Sequence, residues 1–211
     1  MAGKSIIAAI KRLGRPIFTT HEIIASSGKT ASTVTQSLNY LKREGMLIKV
    51  YRGVWAETGN DKASSMYTIL PHLFPRGRVY VSFVSALHLY GIIEQIPQIL
   101  TVASMLHTRA IKTALGVVSV HKISPSFFKG FTWYKGEGGF LIAEPEKALI
   151  DALYLSACKK RQFGHFPELH FDKKFDFKKA KRWAALIPRH NIRKNVESKL
   201  SHITELAKAR L

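Results

Sequence analysis

Three carboxylates, Glu144, Glu146 and Asp151, crowd around Lys147 in one short stretch of this chain. These are residue types that a metal-dependent nuclease gathers. Glu144 and Glu146, however, flank Pro145, and acids beside a proline in the first turn of a helix are expected from the helix dipole alone. Such a nuclease also needs a further acid, an Asp, upstream on a strand, and the middle of the chain offers only Glu94 and Glu137. Cys158, His165 and His170 have the chemistry of zinc ligands but stand at irregular intervals, with the cysteine on a helix. A Gly-x-Ser-x-Gly elbow, a Gly-x-x-x-x-Gly-Lys phosphate loop and a Gly-Ser followed by paired Asp are all missing. The Gly-rich "GEGG" at 136–139 precedes strand-like residues and reads as a hairpin turn. The expectation is a protein that is not an enzyme and takes neither metal nor cofactor.

A different chemistry, recognition of base edges, is offered between residues 29 and 52. Val34, Leu38 and Leu41 recur at the helical period and mark a buried stripe. At about 100° per residue the opposite face carries Lys29, Ser32, Gln36, Asn39, Tyr40 and Arg43, with Thr33 and Thr35 on its flanks. Gln and Asn pair bidentately with adenine, and Arg pairs with guanine or a phosphate. The N-terminus of that helix aims its free N–H groups and positive dipole at a nucleic-acid backbone. Lys49, Tyr51 and Arg52 follow on a tight hairpin, placed to reach flanking phosphates or the minor groove. Glu44, at the edge, is the acid nearest this face.

Charge supports a polyanionic partner. The 211 residues contain 33 Lys and Arg against 14 Asp and Glu, a net +19, and such an imbalance predicts affinity for nucleic acid or an anionic surface rather than a fold. Residues 1–60 carry +6, residues 61–156 only +3, and residues 157–211 carry +10. The near-neutral middle reads as core; both ends read as contact surfaces. In the last quarter Lys159, Lys160, Arg161, Lys178, Lys181 and Arg182 are candidate contacts to DNA phosphates beside the reading helix, or to RNA. No apolar run approaches the roughly 18 residues needed to span a membrane, Lys4, Lys11 and Arg12 interrupt the early apolar segment, and a single cysteine suits a reducing compartment. A cytoplasmic, non-membrane protein is expected.

The elements that must position these residues follow from period and punctuation. A helix over 5–13 ends at Gly14; a short extended piece leads to a helix over about 21–26, capped by Thr19 or Thr20 and closed by Gly28. A third helix runs over about 31–44 to Gly45, and "MLIKV" and "VWAE" form a hairpin around Tyr51-Arg52-Gly53. Three helices and a hairpin outline a winged helix-turn-helix over 1–58. The polar segment 58–65 marks a boundary. A mixed α/β domain then spans 66–211: a helix over 82–91 capped by Ser82, strands at 98–104, 116–123, 131–135 and 140–143, and a helix from Pro145. A basic helical tail (157–211) follows, with Asp176 capping one helix and 191–208 forming the last. The fold class is α+β in two domains.

"LKREGMLIKVYRGVW" (41–55) resembles the helix-turn-helix of AbiEi-type antitoxins. "VYVSFVSALHLYGIIEQIPQILTV" (79–102) and "IAEPEKALIDALYL" (142–155) resemble the second domain of the same family, so the likeness covers roughly residues 5–156. It implies a bacterial transcriptional autoregulator that is the antitoxin of a type IV toxin–antitoxin system. Such a protein binds inverted repeats in its own promoter as double-stranded DNA, with two copies pairing there. Its genetic partner is a nucleotidyltransferase toxin, whose effect it counters without a tight complex. The alternative left by the residues themselves is a winged-helix protein whose basic surfaces bind RNA or another protein without controlling transcription.

Overall fold

The computed structural model describes residues 5–60, 65–75, 79–136, 139–158 and 167–210. It is a mixed α+β chain that divides into two compact units: residues 1–77 with 112–117 and 136–140, and residues 78–111 with 118–135 and 141–211. Among the described residues no helix is long and apolar enough to cross a membrane.

The first unit opens with α1 (Ile6–Leu13), β1 (Ile17–Thr19), α2 (Thr20–Ser27) and α3 (Ala31–Arg43), followed by β2 (Leu47–Tyr51) and β3 (Val54–Glu57). The three strands form an antiparallel sheet in the order β1-β3-β2. Ile6, Ile10, Phe18, Ile23, Val34, Leu38, Leu41, Leu47 and Trp55 make one core, so each of these six elements contributes a buried side chain to it. Local chemistry sets the helix ends. Thr19, not Thr20, caps α2: its hydroxyl accepts from the Glu22 N–H while Glu22 reaches back to the Thr19 N–H, a reciprocal capping box. Gly28 leaves α2 in the left-handed region at φ 68°, which only glycine adopts without cost. Beyond the hairpin this unit also holds α4 (Leu70–Leu73), a single turn with Pro71 inside it.

The second unit is built on β4 (Val79–Val81), α5 (Phe83–Leu89), β5 (Ile99–Ser104), β6 (Arg109–Thr113), β7 (Gly116–Lys122), a 3-10 turn at Pro125–Phe127, β8 (Phe131–Trp133) and β9 (Leu141–Ala143). The sheet order is β6-β7-β5-β4-β9-β8. β4 lies antiparallel to β5 and parallel to β9, and β8 pairs antiparallel with β9 as the expected hairpin. Residues 137 and 138 of that turn lie outside the described residues. The tip of the β6–β7 hairpin, 112–117, counts with the first unit.

Three helices complete the second unit: α6 (Pro145–Ala157), α7 (Phe177–Ala185) and α8 (His190–Arg210). α7 and α8 both pack on α6 and on each other. They and the link between them bury Ala180, Ala184, Ile187, Val196, Leu200 and Ala207, so the residues read as a tail are part of the core. Asp176 caps α7 as its position suggests, accepting from the N–H groups of Lys178 and Lys179.

Two backbone positions in this unit take positive φ in closely packed surroundings. Phe83 adopts φ 58°, a left-handed conformation costing roughly 1–2 kcal/mol for a residue with a Cβ; its ring is fully buried edge-on to His121. Gly130 sits at φ 79°, and a Cβ there would lie 2.5 Å from a Trp183 ring carbon and 3.2 Å from Lys147 Cγ. Gly130→Ala is therefore expected to lower the unfolding free energy by about 2–4 kcal/mol, combining backbone strain with overpacking. A shift of the urea midpoint at unchanged slope is the readout.

Candidate nucleic-acid interface

α3 is the element that carries the polar row. Thr30 caps it, its hydroxyl accepting from the Thr33 N–H. At the other end Gly45 turns the chain left-handed at φ 73°, and the Met46 N–H returns to the Leu41 carbonyl at 3.0 Å. Val34, Leu38 and Leu41 are buried, while Ser32, Thr33, Gln36, Asn39, Tyr40 and Arg43 are exposed. Ser32, Gln36, Asn39 and Arg43 fall within an arc of about 60°, on the side of the helix away from the buried stripe. Lys29, just before the helix, is half-buried.

These residues do not stand on a flat surface. Lys29, Gln36, Tyr40 and Arg43 line one hollow of about 680 Å³ with Ser5, Ile6 and Ile7 of the α1 end. The Arg43 guanidinium lies over the Tyr40 ring, 5.9 Å from its centroid. That contact orients the cation along the helix face without consuming its donors. Thr33 is committed locally: its hydroxyl is 2.9 Å from that of Thr30, so it works as part of the cap.

The β2–β3 turn is fastened to the α2 start. The Thr20 N–H donates to the Gly53 carbonyl at 2.8 Å, and the Trp55 indole N–H donates to the Thr20 hydroxyl at 2.9 Å. Lys49 is exposed with its ammonium 5.4 Å from the Trp55 ring centroid. The strand kinks between Lys49 and Tyr51, and the carbonyl of Val50 between them accepts from the Ala114 N–H at 3.0 Å. Tyr51 is half-buried and Arg52 exposed. Arg52 lines a second hollow with Arg15, His21 and His72, not the one that holds Gln36 and Arg43. The candidate residues thus form two groups, an α3 group and a hairpin group.

Glu22 is bound by Arg15; burial works to raise its pKa, but the Thr19 N–H and hydroxyl and the Arg15 charge hold it below the ordinary carboxylate value. The α3 face itself carries no acid. Burial, with the Arg15 charge, pushes His72 below the usual histidine value against the pull of Glu22.

Of the basic candidates in the second unit, Lys178, Lys181 and Arg182 are exposed on α7, Arg182 reaching Asp176 at 3.7 Å. Lys159, Lys160 and Arg161 lie outside the described residues, as does His165. Among the described residues no three His, Cys, Asp or Glu side chains are grouped to hold a metal.

The carboxylates with nuclease chemistry are parted into two separate clusters, each around one lysine. Lys179 lies 3.2 Å from both Glu144 and Glu146; burial opposes its charge, but these two acids raise its pKa. Asp151 is paired with Lys147, both side chains wholly without solvent contact. Asp151 also accepts from the Tyr80 hydroxyl at 2.9 Å and the Ser82 hydroxyl at 2.8 Å. Ser82 therefore does not cap α5 with its side chain, as its position suggests; the buried carboxylate takes that hydroxyl instead. The Lys147 ammonium is boxed by rings, 3.8 Å from the Phe127 centroid, 5.7 Å from Tyr80 and 5.8 Å from Trp183. The signal for this pair was in the sequence: α6 is apolar on every side, so it is a buried helix, and charges four apart on it must meet each other. No protein-family model matches this chain, and no curated protein matches it.

Proposed function

We propose that this chain is a sequence-specific DNA-binding autorepressor whose first unit acts as a winged helix-turn-helix, with α3 in the major groove and the β2–β3 hairpin as the wing. One observation carries the reading: Ser32, Gln36, Asn39 and Arg43 share one exposed, acid-free arc of α3 directly opposite its buried stripe. Short hydroxyls, amides and a guanidinium are the groups that bond base edges. Lys49 and Arg52 then serve flanking phosphates, which position the helix without reading sequence. With the resemblance to AbiEi-type antitoxins, the biological role is repression of the chain's own toxin–antitoxin operon. Its site would be an inverted repeat bound by two copies, and its functional partner a nucleotidyltransferase toxin.

A shift assay on the DNA upstream of its own gene tests this. Retarded complexes that survive a large excess of unrelated duplex and of RNA are expected. Displacement by RNA as readily as by DNA would favour the alternative of RNA binding, and loss of the probe on adding magnesium or manganese would mean a nuclease.

The exposed cations of α7 add an electrostatic contribution. Removing residues beyond 156 would uncover the core under α7 and α8, so the test is substitution of Lys178, Lys181 and Arg182 together by Ala. The slope of log affinity against log salt is expected to fall by roughly 0.9 for each phosphate contact removed. An unchanged slope would place the DNA path away from α7.

A further inference from the structure

The second unit holds a cavity of about 480 Å³ that the DNA reading leaves unused, within the range of about 300–1,000 Å³ usual for small-molecule sites. Its lining joins two cations, Lys122 and Arg189, to the hydroxyls of Ser124 and Tyr154 and the apolar faces of Pro125 and Pro188. Among the described lining residues there is no carboxylate. Five pieces of chain meet there: Thr108 just before β6, the end of β7, the 3-10 turn, the last turn of α6 and the α7–α8 link.

The site is preformed. The Lys122 N–H donates to the Thr108 hydroxyl at 3.1 Å, and the Ile123 N–H donates to the Ser104 carbonyl at 2.9 Å. The Arg189 carbonyl accepts from the Arg193 N–H at 2.9 Å. The Tyr154 ring is steadied by Phe127, centroid to centroid 5.6 Å. Burial and the neighbouring Cys158 thiol raise the Tyr154 phenol pKa and the Arg189 charge pulls against them, so guanidinium and phenol lie within electrostatic reach of each other. Arg193, one turn further on, has a buried Nε with no hydrogen-bond partner among the described residues.

Two cations with no carboxylate beside them among the described lining residues suit a phosphate, and a guanidinium binds one bidentately. A half-buried aromatic ring beside two prolines suits the flat face of a base, and hydroxyls suit a ribose. We propose that this cavity binds a nucleoside phosphate, either a free nucleotide or the 5′-phosphorylated end of a strand, independently of the α3 face.

Fluorescently labelled ADP titrated against the full chain at physiological salt, followed by anisotropy, tests this. Saturable one-to-one binding is expected, with AMP a better competitor than inorganic phosphate. Lys122→Ala with Arg189→Ala should weaken it about a hundredfold or more, since each removes a charge-assisted bond whose loss alone is roughly tenfold. Both side chains are exposed, so the fold should survive, as circular dichroism would verify. Lys173→Ala with Lys174→Ala removes the same charge from exposed positions elsewhere and should leave binding unchanged. A 5′-phosphorylated dinucleotide competing better than AMP assigns the strand end; the reverse assigns the free nucleotide. Absence of saturation, equal weakening by the Lys173/Lys174 control, or inorganic phosphate matching AMP would overturn the proposal.

Discussion

Asp151→Asn is expected to lower the unfolding free energy by about 3–5 kcal/mol, because it leaves the Lys147 ammonium in the core without a counter-charge. Both side chains are wholly buried. Burial pushes the Lys147 pKa down and the Asp151 charge is what opposes it, so the charged form depends on that carboxylate. The rings of Phe127, Tyr80 and Trp183 contribute to holding the cation, but by less than a paired, hydrogen-bonded anion. Tyr80 and Ser82 would keep an amide oxygen as acceptor, so the loss is mainly electrostatic. Lys147→Met should cost a similar amount, and the double variant Lys147→Met/Asp151→Leu less than the sum, since an apolar replacement removes both buried charges together. Chemical denaturation of the four proteins checks this. Losses below about 1 kcal/mol that simply add would mean that the pair contributes little.

The second large effect is on recognition. Replacing Gln36, Asn39 and Arg43 by Ala is expected to abolish discrimination between operator and random duplex, at about 1–3 kcal/mol for each bidentate contact. Non-specific affinity should fall only slightly, because two of the three residues are neutral and the net +19 of the chain is almost untouched. Stability should not change, since all three side chains are exposed. Competition titrations against operator and against mixed duplex separate the two components. Lys49→Ala and Arg52→Ala, by contrast, should weaken both kinds of duplex alike.

Which parts of this structure are readable from sequence follows from the physics of each. α3 is legible because its apolar residues keep the helical period and both ends carry their punctuation, Thr30 and Gly45. The Asp176 cap is legible for the same reason. β4 is not: three buried residues without alternation carry no strand period. β6, at the edge of its sheet, buries only Ile111 and reads as polar chain. α4 is a single turn, below any periodicity. Side-chain partners fared differently from elements. Dipole reasoning puts the acids of α6 in its first turn, which holds for Glu146. It says nothing of Asp151, whose partners Tyr80 and Ser82 come from some seventy residues earlier. The exposed row on α3 follows directly from its buried one, whereas the parting of Arg52 from Gln36 and Arg43 into separate hollows depends on how the hairpin folds back on α2.

The most direct test is the base preference of the protein before and after a change at Gln36 alone. Selection from randomised duplexes with the full chain and with Gln36→Arg should return two sites that differ at one base pair of each half-site, adenine giving way to guanine there. Identical sites from both proteins would contradict the assignment of α3 as the reading helix.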